Sequence, residues 1–222
     1  MASVRLCRRM IFLFVCGFLS LAGIAIDVQA ASVVGSSSTS TAVRKTDVQI
    51  ASKAKQALLV IFPWFVEPPY SETRSILENK GVKVIVASSS VDPISGYEKK
   101  LTVKPDMPLS QVRTTEYDAI VFIGSTSYPS DNADLIRIAK EGAAEGKVLA
   151  ATGHGAVFTL VKADLLKGKK IAAQLSDFWL QKSEATLSTA PVEQDGRIIT
   201  ASSTEPQKFA ETIAAALTTG AN

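Results

Sequence analysis

The stretch Ala57-Leu58-Leu59-Val60-Ile61-Phe62 is an apolar run with no polar break. A strand with one face in water alternates apolar and polar residues, whereas an unbroken run of this length is buried on both faces. Largely apolar runs recur at residues 82–87 (interrupted by Lys83), 119–123 and 147–151 (opening on Lys147), and in shorter form at 171–173 and 198–201. Helical segments lie between the runs. Residues 70–80 end at Gly81, residues 132–145 end at Gly146, 156–162 is short, and 206–217 carries Pro206 near its first turn. Buried strands alternating with helices require a mainly parallel sheet covered on both faces, an α/β three-layer sandwich of flavodoxin-like type. Ligand sites in such folds lie beyond the C-terminal ends of the strands. Residues 63–67, 124–128 and 152–155 are therefore expected around one crevice.

The last of these carries the sequence "AATGHGA" (150–156), which holds the only histidine of the chain, His154, between two glycines. A strand turning sharply into a helix is where α/β enzymes mount a nucleophile. Here the apex, Gly153, has no side chain.

The first residues read differently. Arg5, Arg8 and Arg9 form a basic start, Ile11 to Ile26 is apolar but for Gly and Ser, and Val28-Gln29-Ala30 fits a small-x-small cleavage site. A membrane span needs about 20 residues, so residues 1–30 are expected to be a cleaved secretory signal, with an uncleaved anchor as the alternative. Residues 31–48 are rich in Ser and Thr, without periodicity, and read as a flexible linker. Residues 49–222 are then one domain, large enough for a real core. The expected location is exported, periplasmic or secreted, with no membrane association after cleavage. Both cysteines, Cys7 and Cys16, lie in the signal, leaving the domain without disulfide, thiolate ligand or thiol nucleophile. Three of the 24 basic residues and one of the 21 acidic ones also lie there, so the remainder is close to neutral. No basic cluster is interleaved with aromatics, which argues against a nucleic-acid partner.

Six stretches in fixed order resemble the DJ-1/PfpI family of the class I glutamine-amidotransferase-like superfamily. They are "ILENKGVKVIVAS" (76–88), "LTVKPDMPLSQV" (101–112), "YDAIVFIG" (117–124), "GKVLAATGHG" (146–155), "DLLKGKKIAA" (164–173) and "QDGRIITASS" (194–203). The resemblance implies a cysteine at the strand-to-helix elbow with its pKa lowered by the helix N-terminus. It also implies a glutamate after the first strand and a Gly-Gly turn after the third that helps to form an oxyanion site. In this chain the cysteine position falls on Gly153. The glutamate position falls on Pro69, with Glu67 and Glu72 close by, and the paired glycines become Gly124-Ser125. The resemblance further implies a homodimer.

What remains is a vestigial pocket of Glu67, Pro69, Glu72, Gly124, Ser125, Thr152, Gly153 and His154, open to a small-molecule ligand. His154 matches a histidine frequent in the resembled family and can act as a base, or simply hydrogen-bond at the start of its helix. Thr152, Ser125 and Thr126 offer hydroxyls, but a hydroxyl nucleophile needs an oriented base. Glu72 equally fits the acidic first turn of a helix. One histidine among scattered carboxylates is a poor metal set, so neither metal nor cofactor is expected. Trp64 and Phe65 read as a hydrophobic rim or a dimer contact, and Trp179 as core or interface. Three functions are consistent with this: an exported binding or structural module without the family's cysteine chemistry, a hydrolase or glyoxalase-like enzyme of altered mechanism using His154, and a chaperone-like stress-protective protein.

Overall fold

The computed structural model describes residues 54–219. The signal (1–30), the linker (31–48) and the first residues assigned to the domain lie outside the described residues.

In chain order the elements are β1 (Gln56–Val60), α1 (Glu67–Asn79), β2 (Lys83–Ser88), β3 (Ile94–Ser95), β4 (Thr102–Val103), β5 (Met107–Pro108), β6 (Ala119–Ile123), α2 (Ala133–Ala144), β7 (Val148–Thr152), α3 (His154–Lys162), β8 (Lys170–Ile171), α4 (Asp177–Ser183), β9 (Thr186–Leu187), β10 (Val192–Asp195), β11 (Ile198–Ala201) and α5 (Pro206–Thr218). The main sheet has seven strands in the order β10-β11-β7-β6-β1-β2-β5. All its pairs are parallel except β10 with β11, a hairpin turning at Gly196. This is the flavodoxin-like α/β sandwich expected from the apolar runs.

The side chains show why those runs are unbroken. Leu59, Val121, Ala150 and Ile199 face a core closed by Tyr70 and Leu77 of α1 and Phe209 and Ile213 of α5. Their neighbours Leu58, Val60, Ile120, Phe122 and Leu149 face the opposite core, closed by Leu135 and Ile138 of α2 and Val157 and Leu160 of α3. Successive residues of a strand point to opposite faces, so two apolar layers require both parities to be apolar.

Several boundaries differ from the sequence reading. Helix α1 begins at Glu67 rather than near residue 70, with Pro68 and Pro69 in its first turn. A first-turn residue has no intrahelical acceptor for its N–H, so proline loses nothing there. The acidic residue of that turn is thus Glu67, and Glu72 lies exposed further along the helix. The strand expected at 171–173 is β8, which pairs with β9 in a separate two-stranded sheet. The β3–β4 hairpin, β5 and α4 are too short to leave a periodic trace in the sequence.

The chain fills the sheet outward from β1, first through β2 to β5 and then through β6 to β7 and β11. The order reverses between β1 and β6. At such a switch point the connections leave in opposite directions and open a crevice at the strand ends.

Candidate functional site

The crevice is a cavity of about 410 Å³. Its floor is Gly124 after β6 and Gly153 after β7, its walls are Ser125, Thr126, Tyr128 and Phe158, and Val66 and Ser203 border it. No Lys, Arg, Asp or Glu lines it.

Gly153 is the N-cap of α3, with φ 81° and ψ 159°. That region of backbone space is essentially reserved for glycine, because a Cβ collides there with the neighbouring peptides. The Gly153 N–H donates to Ala201 O at 3.1 Å and its carbonyl accepts from Val157 at 3.1 Å. The N–H groups of His154, Gly155 and Ala156 have no acceptor one turn earlier, as at any helix start. They form the partly positive end of the α3 dipole, at the floor of the crevice. Gly124 is required by close approach: a Cβ there would stand 2.7 Å from Thr152 O.

His154 is exposed, and its Nδ1 lies 2.6 Å from Gln174 O. A carbonyl only accepts, so Nδ1 carries the proton and the neutral ring keeps its lone pair on Nε2. The ring stacks on Phe158 at 5.9 Å with 22° between planes. On its far side, His154 and Gly153 border a second cavity of about 200 Å³ with Ala173 and Gln174.

The expected pocket residues separate into two groups. Gly124, Ser125, Gly153 and His154 are brought together in the crevice. Thr152 lies beneath it, buried, its hydroxyl donating to Ser202 O at 3.4 Å. Pro69 is buried within α1, and Glu72 is exposed on that helix. Glu67 is buried but faces the β3–β4 hairpin, where its Oε1 accepts from Lys100 N at 3.2 Å. The Thr152 hydroxyl is therefore not presented to a base, whereas Thr126 lines the crevice together with His154.

Ser203 is outside the pocket set that the sequence suggests, yet its Oγ lies 3.1 Å from where a Cβ on residue 153 would stand. Its signal was its place just past the C-terminal end of β11. Tyr128 forms a wall by packing edge-on against Phe62 at 5.1 Å. Its hydroxyl lies near that of Thr159 without hydrogen-bond geometry, and burial pushes the pKa of its phenol upward. The Ser125 Oγ is likewise buried with no partner among the described residues. Of the expected rim, Phe65 is fully buried while Trp64 is 41% exposed and adopts φ 63°. Trp179 is half-buried, edge-on to Phe158 at 4.5 Å.

Among the described residues, no group of three or more His, Cys, Asp or Glu is placed to hold a metal ion. No helix there is long and apolar enough to cross a membrane. The crevice is thus a set of backbone N–H groups, hydroxyls and one imidazole around a bare glycine. It can grip a small ligand through an acceptor atom at the α3 N-terminus.

The fold is shared with solved proteins. A ThiJ/PfpI domain protein from Brachyspira murdochii is 25% identical with a TM-score of 0.71, over 75% of this chain and 98% of that one. DJ-1beta of Drosophila melanogaster is 21% identical with a TM-score of 0.65, over 74% and 90-odd per cent (91%) of the two chains. A two-domain protein from Anabaena variabilis, with DJ-1/ThiJ/PfpI-like and ferritin-like domains, is 22% identical with a TM-score of 0.69 over 74% of this chain. The match spans 48% of that protein, about half its length. No curated protein is significantly similar in sequence. The model of the DJ-1/PfpI family matches residues 55–216, which is most of the chain. The chain belongs to the DJ-1/PfpI family.

Proposed function

We propose that this protein is an exported binding module whose crevice holds a small polar ligand without thiol chemistry. The observation that carries the reading is Gly153, which offers no side chain at the elbow, in a domain that contains no cysteine. The free N–H groups of α3 and the hydroxyls around them suit a ligand with a carboxylate or carbonyl oxygen. Purified protein should leave methylglyoxal, simple esters and peptides unchanged at the buffer rate. Robust turnover abolished by His154→Ala would overturn the reading.

That outcome would support the second reading, in which His154 activates water for attack on a carbonyl or ester. The observation in its favour is the Gln174 carbonyl, which orients the ring and leaves Nε2 free as a base.

Export is part of the proposal and rests on the basic start, apolar run and cleavage pattern of residues 1–30. Mass spectrometry of protein from its native host should find an N-terminus near Ala31, and a full-length cytosolic chain would refute export. A homodimer is proposed from the family resemblance alone. Sedimentation at micromolar concentration distinguishes it from a monomer.

A further inference from the structure

Beyond the crevice, on the other side of Phe158, α3 and α4 enclose a separate cavity of about 250 Å³. Val161 and Leu166 form its apolar base, Trp179 a wall, and Lys162 and Lys182 its charged sides. Both ammonium groups converge on one indole: Lys162 Nζ is 5.6 Å from the Trp179 ring centroid and Lys182 Nζ 4.9 Å. Each is also near a phenyl ring, Lys162 at 5.5 Å from Phe158 and Lys182 at 5.9 Å from Phe178.

The carboxylates nearby leave Lys182 without an ion-pair partner among the described residues. Lys162 pairs with Asp131 at 2.6 Å, but the Asp131 side chain is 80% exposed, and such a pair is weak in water. Lys182 has no carboxylate within ion-pair distance among the described residues. Asp164, an exposed residue with φ 59°, also lines the cavity. Both lysines line the cavity and stand within 6 Å of the same indole, so an oxyanion in it would be attracted by both. The volume exceeds the roughly 30 Å³ occupied by one water in the liquid several-fold, which leaves room for a tetrahedral group and some solvent.

We propose that this cavity is a binding site for a small oxyanion of the phosphate type, held by Lys162 and Lys182 against Trp179. The site is independent of the crevice and of any chemistry there. Lys182 supplies the uncommitted charge, Lys162 exchanges its exposed partner for the ligand, and Asp164 in the lining limits the affinity.

Inorganic phosphate is the probe. The chain has two tryptophans, so in a Trp64→Phe background the emission reports Trp179 alone. Phosphate titrated at constant ionic strength should produce a saturable change that sodium chloride does not, and calorimetry on the unsubstituted protein should give the same midpoint. Lys182→Met should weaken binding about tenfold or more, as expected for a charge-assisted contact. Asp164→Asn should tighten it, and Ser203→Ala, in the crevice, should leave it unchanged. Glycerol phosphate binding more tightly than inorganic phosphate would identify an organic phosphoester as the occupant; equal or weaker binding would identify the free ion. A response that follows ionic strength alone, or one indifferent to Lys182→Met, overturns the proposal. So does weaker binding in Asp164→Asn.

Discussion

Gly153→Cys is expected to lower the melting temperature by roughly 2–12 °C while restoring no thiol-dependent turnover. At φ 81° and ψ 159° the backbone of residue 153 is in territory that side-chain-bearing residues avoid. Forcing a Cβ into it costs about 1–3 kcal/mol. A domain of this size loses roughly 2–4 °C for each of those. The new Cβ would also press on Ser203 Oγ at 3.1 Å, while Gly124 Cα at 3.5 Å is in ordinary contact. Gly153→Ala should lose as much, because the strain belongs to the Cβ and not to sulfur. The introduced thiol, at the start of α3, should titrate below the free value of about 8.5. It should still fail to turn over substrate. The sequence resemblance puts Pro69 where a partner carboxylate is expected, and the nearby Glu67 carboxylate is engaged at Lys100 N. Unchanged melting together with a thiol titrating near 8.5 would mean that residue 153 is not at a strained helix start.

The parts of this molecule that could be read from sequence are those whose cause is local. Leu58 and Leu59 face different cores, and that alone accounts for the unbroken apolar run at β1. Gly124 and Gly153 follow directly from the ends of two such runs, so their meeting in the crevice was legible. Ser203 was not, because its approach to residue 153 depends on β11 returning beside β7 in parallel register. The edge strand β5 is two residues long, and it is held by Asp106, whose Oδ2 accepts from Val86 N at 2.8 Å. Nothing periodic announces such a pairing. Trp64 and Phe65 are adjacent and equally apolar, yet one is exposed and the other fully buried. The positive φ at Trp64 turns the chain between them, stabilised by Ser95 O accepting from Trp64 N at 2.9 Å. Glu67, Pro69 and Glu72 are close together only along the chain. A helix starting at Glu67 instead distributes them around its surface, and only contacts from the β3–β4 hairpin decide what Glu67 does.

Those contacts predict a compensating pair of substitutions. Gly96→Ala should destabilise the protein by about 1–3 kcal/mol, as overpacking does. Its Cβ would fall within van der Waals contact of the Glu67 side chain, 2.6 Å from Cδ. Glu67 is 7% exposed and its carboxylate is fixed by Lys100 N, so it has little room to withdraw. Glu67→Ala alone should cost about 1–3 kcal/mol, because it removes that acceptor and leaves space beneath the hairpin. In the double variant the new methyl at residue 96 occupies part of that space, and the collision disappears. Denaturant unfolding should therefore give a combined loss smaller than the sum of the two by about 1 kcal/mol or more, within the range seen for residues in contact. Glu67→Gln keeps an acceptor for Lys100 N and should lose less than Glu67→Ala. Additive losses would place Glu67 away from Gly96, free to turn toward Gly153. Non-additive losses would leave the crevice without a carboxylate, because the one buried beside it is committed to the hairpin.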